Sequence, residues 1–378
     1  MAGLEGHDAA RKLHVKPERL LEWEAGTRRP TIAQLRKIAD IYKRAVGIFF
    51  LSATPPDEQI PTDFRRVDPL DAQPLSPRLL VAIRTARARR QSALDLFDEL
   101  GEVPRSFALR VRLGDSPEAV GDKLRAALGI EASRSVGDPY ANFTRWRAAA
   151  EQAGVLVFQA ERVQVNEMRG FSISDHPLPA VVVNSADAPA GRTFSLLHEL
   201  AHVALNKGGV CLLEVERSSN DAERIEVFCN HVAGAALIPA SQLLAEPTVP
   251  SGSSNVMRHE DVTAIAARHG VSEEVVLRRL LILSRVTPEF YQSKRREFVQ
   301  RYAALALRTR KKSKGGPPPA RVAIARGGPF FTRLVLSAYE SERITSSDVA
   351  DLLGVRLKHL ERVRNEVESP SSRGRPRE

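Results

Sequence analysis

Three segments of the chain share one pattern of apolar and polar positions. Residues 9–24, 265–280 and 349–364 each contain a short helix rich in alanine and leucine, a tight turn at His-Val or Gly-Val, and a second amphipathic helix. This pattern predicts a helix-turn-helix in each segment. A generic helical corner needs the same small and β-branched residues for packing, and for the second and third segments we favour that simpler interpretation.

The first segment continues into a further predicted helix. Gly26 ends the preceding helix, and Pro30 and Thr31 mark the start of the next one. Apolar residues then recur at helical spacing. These apolar positions are Ile32, Leu35, Ile38, Ala39 and Tyr42. The pattern therefore predicts an N-terminal helical domain over residues 1–60.

The middle of the chain mixes strands with helices. Apolar runs at 154–160 and 179–185 predict two strands, and the residues between them predict a turn or a third strand. A small sheet is therefore expected just before the apolar helix predicted at 192–205.

Connecting segments complete the predicted organisation. Residues 77–100 predict a long helix whose basic stripe, Arg84, Arg87 and Arg90, we interpret as a solvated face. Residues 52–66 are a Pro-rich connector. The expected division has the N-terminal domain at 1–60, a connector with long helices at 61–139, a domain carrying the strands at 140–300, a basic Gly/Pro linker at 301–328, a helical unit at 329–368 and a disordered tail at 369–378.

Composition narrows the class of protein. The 378 residues are 43% hydrophobic and 27% charged, which is typical of a folded globular chain with two to four domains. No apolar run approaches the roughly 18 residues that a membrane helix needs. With only Cys211 and Cys229, no disulfide framework is expected. We therefore expect a cytoplasmic protein without a membrane partner.

The net charge of +10 lies at the two ends of the chain. Residues 1–50 carry 10 Lys and Arg against 6 Asp and Glu, and residues 308–378 carry 16 against 8. The centre is slightly acidic. Basic ends predict contacts with DNA or protein through the N-terminal domain or the C-terminal region, and a merely solvated basic surface is the alternative.

The residues with the clearest chemistry are His198, Glu199 and His202. Two histidines four apart lie on one face of a helix, so both imidazoles can reach one ion. Zinc accepts imidazole nitrogen in tetrahedral geometry and keeps a position for water in catalytic sites, where Glu199 could take a proton from that water. The surrounding helix is apolar, and burying these groups without a partner is costly. One catalytic Zn²⁺ is therefore predicted, with Mn²⁺ as the alternative.

A third protein ligand is required, and the next predicted helix, 221–239, offers two carboxylates. Glu223 and Glu226 are both candidates, and Glu226 shares a face with Asn230. The thiolates of Cys211 and Cys229 could also bind zinc, although a buried apolar cysteine is the commoner outcome.

The two segments "RTFSLLHELAH" and "EVFCNHVAGAALIP" together resemble the ImmA/IrrE family of metallopeptidases, over about residues 140–290. The resemblance implies a mostly helical α+β fold with a zincin-like, gluzincin peptidase core. It implies His198, His202 and Glu226 as metal ligands and Glu199 as the general base. Cys229 and Val232 stand where that family usually has Ala and Phe, and both changes conserve packing.

Three nearby residues have weaker assignments. Asn230 could hydrogen-bond to a metal ligand and so fix its orientation. His231 could stabilise an oxyanion, but it lies about 140° round the helix from Glu226, so a packing or surface role competes with that one. His176, in the turn between the predicted strands, could line the cleft.

The N-terminal stretch "WEAGTRRPTIAQLRKIADIYKR" resembles the Xre/Cro-type helix-turn-helix, over about residues 7–50. The first helix of that family would precede residue 7 and is apparently missing. The candidate DNA contacts are Lys16, Arg19, Arg28 and Arg29. The helix that would read DNA also carries Glu18, Glu22 and Glu24, and carboxylates facing phosphates weaken binding.

The motifs and the two resemblances predict two alternative functions. The first is a regulatory zinc endopeptidase, and the family resemblance implies that its protein substrate is a helix-turn-helix repressor, cleaved in stress or mobile-element control. The second is a DNA-binding transcriptional regulator or antitoxin-like protein, whose peptidase fold is a scaffold or sensor.

Overall fold

The computed structural model describes residues 6–42, 46–51, 75–130, 137–205, 219–254, 256–309 and 317–368. The strands are β1 Leu156–Ala160, β2 Gly170–Ile173 and β3 Ala180–Asn184, and short 3-10 helices cover Val46–Phe50 and Leu357–His359. The helices are α1 Gly6–Leu13, α2 Pro17–Glu24, α3 Ile32–Tyr42, α4 Pro77–Leu100, α5 Pro117–Ala127, α6 Pro139–Gln152, α7 Pro189–Leu205, α8 Ser219–Leu237, α9 Ala240–Leu244, α10 His259–His269, α11 Glu273–Ile282, α12 Pro288–Thr309, α13 Pro319–Gly327, α14 Pro329–Glu340, α15 Ser346–Leu353 and α16 Leu360–Glu368.

The expected mostly helical α+β fold with a small sheet is confirmed. In the described parts of the chain, no helix is both long and apolar enough to span a membrane. The predicted connector at 52–66, Cys211 and the tail at 369–378 lie outside the described residues.

Short polar residues set where several helices begin. The Ser76 hydroxyl accepts from a backbone N–H in the first turn of α4, and the Asp138 carboxylate accepts from two such groups in α6. Ser272 caps α11, and Thr345 forms a reciprocal capping box at the start of α15. Each cap satisfies backbone donors that have no partner inside the helix.

The three strands form one sheet in the order β1-β3-β2. β1 and β3 are parallel, and β2 runs antiparallel to β3 with Phe171 opposite Val182 and Ser172 opposite Val181. β2 therefore occupies one edge of the sheet. All residues of the three strands are buried.

Alternation along the strands divides the protein into two cores. Val157, Val181 and Val183 point to one side, where α6, α7 and α8 pack. Phe158 and Val182 point to the other, into a second core that is completed by α4, α13, α14, α15 and α16. Because successive strand residues face opposite sides, a run of apolar residues serves both cores.

The C-terminal helices are part of the body. Ala320 on α13 and Phe331 on α14 are buried in the core on the outer face of the sheet, and Phe331 meets Phe158 edge to face. The sequence predicted a linker over 301–328, but α12 continues to Thr309 and α13 is helical within that range. Apolar residues such as Ala320 and Ala323 pack against the sheet side of the molecule and stabilise α13 as a helix. The predicted domain boundaries stay predictions.

The stripe on α4 is a second correction. Arg90 donates hydrogen bonds of 2.9–3.0 Å to the carbonyl oxygens of Asp175, Pro177 and Leu178. It therefore holds the turn that leads into β3, and it does not lie on a solvated face. Helical periodicity alone could not show this, because the turn reaches α4 only through the tertiary fold.

All three predicted helix-turn-helix segments contain the same turn. His14, Gly270 and Gly354 follow the first helix with φ of 56°, 61° and 63°. The valine after each one donates its N–H to the carbonyl oxygen five residues earlier, over 3.0–3.1 Å. This arrangement is a Schellman motif, and it aligns the three units residue by residue.

Glu151 on α6 links the two halves of the molecule. Its Oε2 accepts a hydrogen bond of 3.1 Å from the N–H of Phe330, at the start of α14. Gly328, with φ of 77°, is required beside it because a Cβ there would lie 2.6 Å from Glu151 Oε1. Burial raises the pKa of Glu151 to about 7, although the cationic Arg147 and Arg333 lower it.

We predict that Glu151 makes the stability of the protein pH-dependent. A carboxyl group whose pKa rises on folding stabilises the fold while protonated, so its contribution is complete below about pH 4.5 and is lost as the pH rises through about 7. The loss corresponds to roughly 3 kcal/mol. Chemical denaturation between about pH 5 and pH 8 should show a smaller decrease for Glu151→Gln than for the wild type. The same decrease in both proteins would contradict the assignment.

Candidate metal centre

Helix α7 places the three sequence-predicted residues inside the protein. His198 and Glu199 are fully buried and His202 is 4% exposed. Leu196, Leu197 and other apolar side chains around them pack into the core against the sheet. The expectation of a buried polar cluster in an apolar helix is confirmed.

Helix α8 brings a carboxylate to the two imidazoles. Glu226 Oε2 lies 3.4 Å from His198 Nε2, and Glu226 Oε1 lies 3.3 Å from His202 Nε2. The two Nε2 atoms are 3.1 Å apart. The Glu226 side chain is 37% exposed, so the cluster opens to solvent on the side of α8.

The three side chains fit a divalent cation. Imidazole nitrogen and carboxylate oxygen about 2.0–2.2 Å from a tetrahedral zinc ion would be about 3.3–3.6 Å apart. The observed separations of 3.1, 3.3 and 3.4 Å lie close to that range. His198, His202 and Glu226 could therefore hold one metal ion without rearrangement of the helices.

Glu199 is held by the edge strand. The Ser172 hydroxyl donates to Glu199 Oε2 over 3.1 Å. Gly170, two residues earlier on β2, lies on the same side of the strand, and a Cβ there would be 3.1 Å from Glu199 Oε1. Sequence reasoning missed both residues. A glycine at the start of a strand signals close approach of another group, but the sequence does not say which group approaches.

The electrostatics of the cluster favour a cation. Burial by itself would raise the pKa of Glu226, but the two imidazoles that face it lower that pKa well below its ordinary value. Burial would lower the pKa of His202, but contacts with Cys229, Glu226 and Glu199 raise it overall. Two carboxylates beside two imidazoles attract positive charge, which a metal ion would supply.

The rival ligands do not join the cluster. Glu223 is exposed and lines an open cavity of about 520 Å³ beside α8. Cys229 is fully buried, contacts His202, and has its thiol pKa raised by burial. Neither belongs to the group of donor atoms that converge, as far as the described residues show.

The weaker candidates have other neighbours. His231 Nε2 lies 2.6 Å from Glu118 Oε1, and the buried Arg279 also binds that carboxylate, which agrees with a packing role for His231. Burial raises the pKa of Glu118, but its contacts with His231 and Arg279 lower it overall to about 2. His176 contacts the Arg110 guanidinium. The Asn230 Oδ1 is buried without a hydrogen-bond partner among the described residues.

The four candidate DNA contacts of the N-terminal domain differ in their surroundings. Arg19 and Arg28 lie 3.4 and 3.7 Å from the Glu22 carboxylate. Lys16 and Arg29 are exposed. Glu22 thus competes with phosphate for two of the four cations, and a DNA-binding role for these residues stays a prediction.

A buried glutamate beside two imidazoles and a carboxylate is typical of metal-dependent hydrolases. Comparison with known families agrees with that class. Residues 150–281 match the peptidase family described as IrrE N-terminal-like domain, and residues 2–48 match the helix-turn-helix family. The chain is therefore similar to a peptidase family and to the helix-turn-helix family over these two ranges. No curated protein and no solved structure matched the chain.

We predict that Glu226, and not Glu223, is the third ligand. Purified wild-type protein should retain about one zinc per chain, whereas Glu226→Gln should weaken zinc affinity by about tenfold or more, because one of three protein ligands is lost. His198→Ala should lose the metal. Titration calorimetry and elemental analysis measure both effects.

Glu223→Gln is the matched control, since it changes the same residue type on the same helix. It should bind zinc as the wild type does. Zinc affinity that falls in Glu223→Gln and survives in Glu226→Gln would reverse the assignment.

Proposed function

We propose that this protein is a zinc-dependent endopeptidase with a regulatory role. The observation that carries the proposal is the convergence of His198, His202 and Glu226 within 3.4 Å of one another, beside the buried Glu199. Two ligands come from one helix and the third from the next, which is the gluzincin arrangement. A structural zinc site needs no additional buried glutamate beside its ligands, and here Glu199 occupies that position.

The zinc ligands and the general base have separate roles. His198, His202 and Glu226 hold the cation, and Asn230, one turn after Glu226, positions that ligand. A bound zinc ion would polarise the peptide carbonyl and acidify a water molecule. Glu199 accepts the proton of the attacking water and delivers it to the amine that leaves.

The surroundings of Glu199 support this role. Ser172 donates to one carboxylate oxygen, so the side chain has a fixed orientation towards the cluster. Its complete burial excludes bulk water, which strengthens its interaction with a nearby proton donor. Gly170 leaves space for the other oxygen.

The edge strand β2 is the place that we propose for a peptide, which would have to displace the groups that bury its residues. β2 pairs with β3 on one side and is the last strand of the sheet on the other. An extended substrate can add to such an edge through backbone hydrogen bonds. Because Gly170 and Ser172 of β2 lie next to Glu199, a peptide bound there would pass beside the general base.

We infer that the substrate is a helix-turn-helix repressor and that its cleavage controls genes in stress or mobile-element responses. The family resemblance and the chain's own helix-turn-helix domain at residues 2–48 support this inference. The proposal places the protein in the cytoplasm, where such repressors act. The second candidate, a DNA-binding regulator whose peptidase fold is a scaffold, is favoured by the same domain. A buried general base next to a ligand set favours the enzyme.

We predict that wild-type protein loaded with zinc cleaves a repressor encoded beside its gene, and that Glu199→Gln does not. The amide cannot accept the proton, so cleavage should fall by at least about a hundredfold while zinc remains bound. Gel analysis and mass spectrometry of the products measure it. Intact repressor with both proteins, together with a shift of operator DNA, would favour the regulator.

We also predict that Gly170→Ala slows cleavage without loss of zinc. The added Cβ would lie 3.1 Å from Glu199 Oε1 and 3.2 Å from Glu199 Cγ, so the carboxylate must move by a few tenths of an ångström. General-base geometry is sensitive to such shifts. Turnover should fall about tenfold or more with unchanged zinc content. Full activity in Gly170→Ala would mean that the Glu199 position is not critical.

A further inference from the structure

The three helix-turn-helix units can be compared position by position, because their turns have a similar positive φ at His14, Gly270 and Gly354. In each unit the turn residue, the following valine and one N-cap residue connect the two helices. The first unit is the one that matches the helix-turn-helix family, over residues 2–48. Its geometry is therefore a reference for the other two.

The second unit cannot present its second helix to a partner. On α11, Val276, Leu277, Arg279 and Leu280 are completely buried in the core beside α8 and α10. Arg279 donates to the carbonyl oxygen of Ile238 and to Glu118. This unit is a structural corner, as the sequence analysis favoured.

The third unit presents its second helix to solvent. The 3-10 turn Leu357–His359 leads directly into α16, and only Leu360 and Val363 of α16 are buried. Arg356, Lys358 and Arg362 are exposed. None of these three cations has an ion pair within the described part of the chain.

The charges of the first and third units are opposite at equivalent positions. Alignment at the turn places Glu18 with Lys358 and Glu22 with Arg362. A third acidic position of the first unit, Glu24, is Arg364 in the third. In the first unit Glu22 also forms ion pairs with Arg19 and Arg28.

The third unit as a whole carries seven Asp and Glu against six Lys and Arg over residues 329–368, and some of these acidic groups form ion pairs. Arg364 lies 3.6 Å from Glu361 and 3.3 Å from Glu340, and Glu366 pairs with Arg321 on α13. Two of the three acidic side chains on α16, Glu361 and Glu366, therefore lie beside an arginine other than the three exposed cations. The positive excess of the segment 308–378, 16 Lys and Arg against 8 Asp and Glu, lies in the sequence outside the unit, where 10 Lys and Arg stand against 1 Glu.

We propose that the third unit, formed by α14, α15 and α16, binds duplex DNA. Arg356, Lys358 and Arg362 contact phosphates or base edges, because the N-terminal residues of the second helix enter the major groove in this motif. Leu357, which is 53% exposed at the start of that helix, contacts apolar base edges such as the thymine methyl group. The C-terminal unit is then the DNA-binding element through these three exposed cations, and the acidic α2 of the N-terminal unit is not.

The experiment measures binding of the full-length protein to a labelled duplex of about 30 base pairs by fluorescence anisotropy, over about 50–200 mM salt. The double variant Lys358→Glu with Arg362→Glu gives the third unit the charges of the first. Its affinity should fall at least about tenfold, and the slope of log affinity against log salt should become shallower by about 2, because two phosphate contacts are lost. Arg362→Lys keeps the charge and should retain binding.

Matched controls test whether the effect is local. Lys123→Glu with Arg296→Glu makes the same charge change at exposed residues outside the three units and should leave binding within about twofold of wild type. Thermal unfolding of every variant checks its fold. The N-terminal alternative is tested by Lys16→Ala with Arg29→Ala, which should also bind DNA like the wild type.

Several results would overturn the proposal. One is equal weakening of DNA binding in the control and in the double variant, and another is loss of binding only in the Lys16 and Arg29 variant. A third is tighter binding of the protein to single-stranded RNA than to the duplex. The last is that the wild type does not bind the duplex even at the lowest salt. None of these measurements depends on zinc or on peptide cleavage. The DNA-binding proposal and the peptidase proposal can therefore fail separately.

Discussion

Burial of two imidazoles and the Glu199 carboxylate between α7, α8 and the sheet, beside the half-buried Glu226, is the constraint on which the rest of the structure depends. Removing such groups from water costs several kcal/mol per charge unless each finds a partner. The cluster meets this constraint by bringing the Glu226 carboxylate within 3.3–3.4 Å of both imidazoles, in a geometry that also suits a divalent cation. Every element that packs around it, from the apolar face of α7 to the edge strand β2, keeps that geometry in place.

The three-stranded sheet separates the two hydrophobic cores of the protein. One face of β1 and β3 packs on the helices that carry the proposed metal ligands, and the other packs on α4 and the C-terminal helices. Residues of β2 follow the same alternation, so Phe171 and Ile173 enter the outer core while Gly170 and Ser172 meet Glu199. The C-terminal unit is thereby tied to the site through only a few strand residues, and Glu151 adds a polar link between the two sides.

One local motif is used three times for different purposes. The same turn and valine hydrogen bond occur at His14, Gly270 and Gly354, since each needs a residue with positive φ after the first helix. What differs is the surface of the second helix, which is acidic and exposed in α2, buried in α11, and exposed in α16, where Arg356, Lys358 and Arg362 lie at or near its start. The turn sets how the helices meet, and the exposed side chains decide what the unit can bind.

The sequence by itself determined the features that depend on neighbours along the chain. Histidines four apart must share a helix face, so His198 and His202 were identified, and periodicity predicted two of the three strands, the long helix α4 and the three turns, while the segment of β2 was predicted only as a turn or a further strand. Features that depend on how elements pack were decided only by the tertiary structure. The choice between Glu223 and Glu226 rests on the rotation of α8 against α7, and the roles of Ser172 and Gly170 rest on the register of β2. The basic stripe of α4 was misjudged because Arg90 finds its partners in a segment that is distant in sequence and adjacent only after folding. The helix α13, within the range where a linker is predicted, packs on equally distant segments.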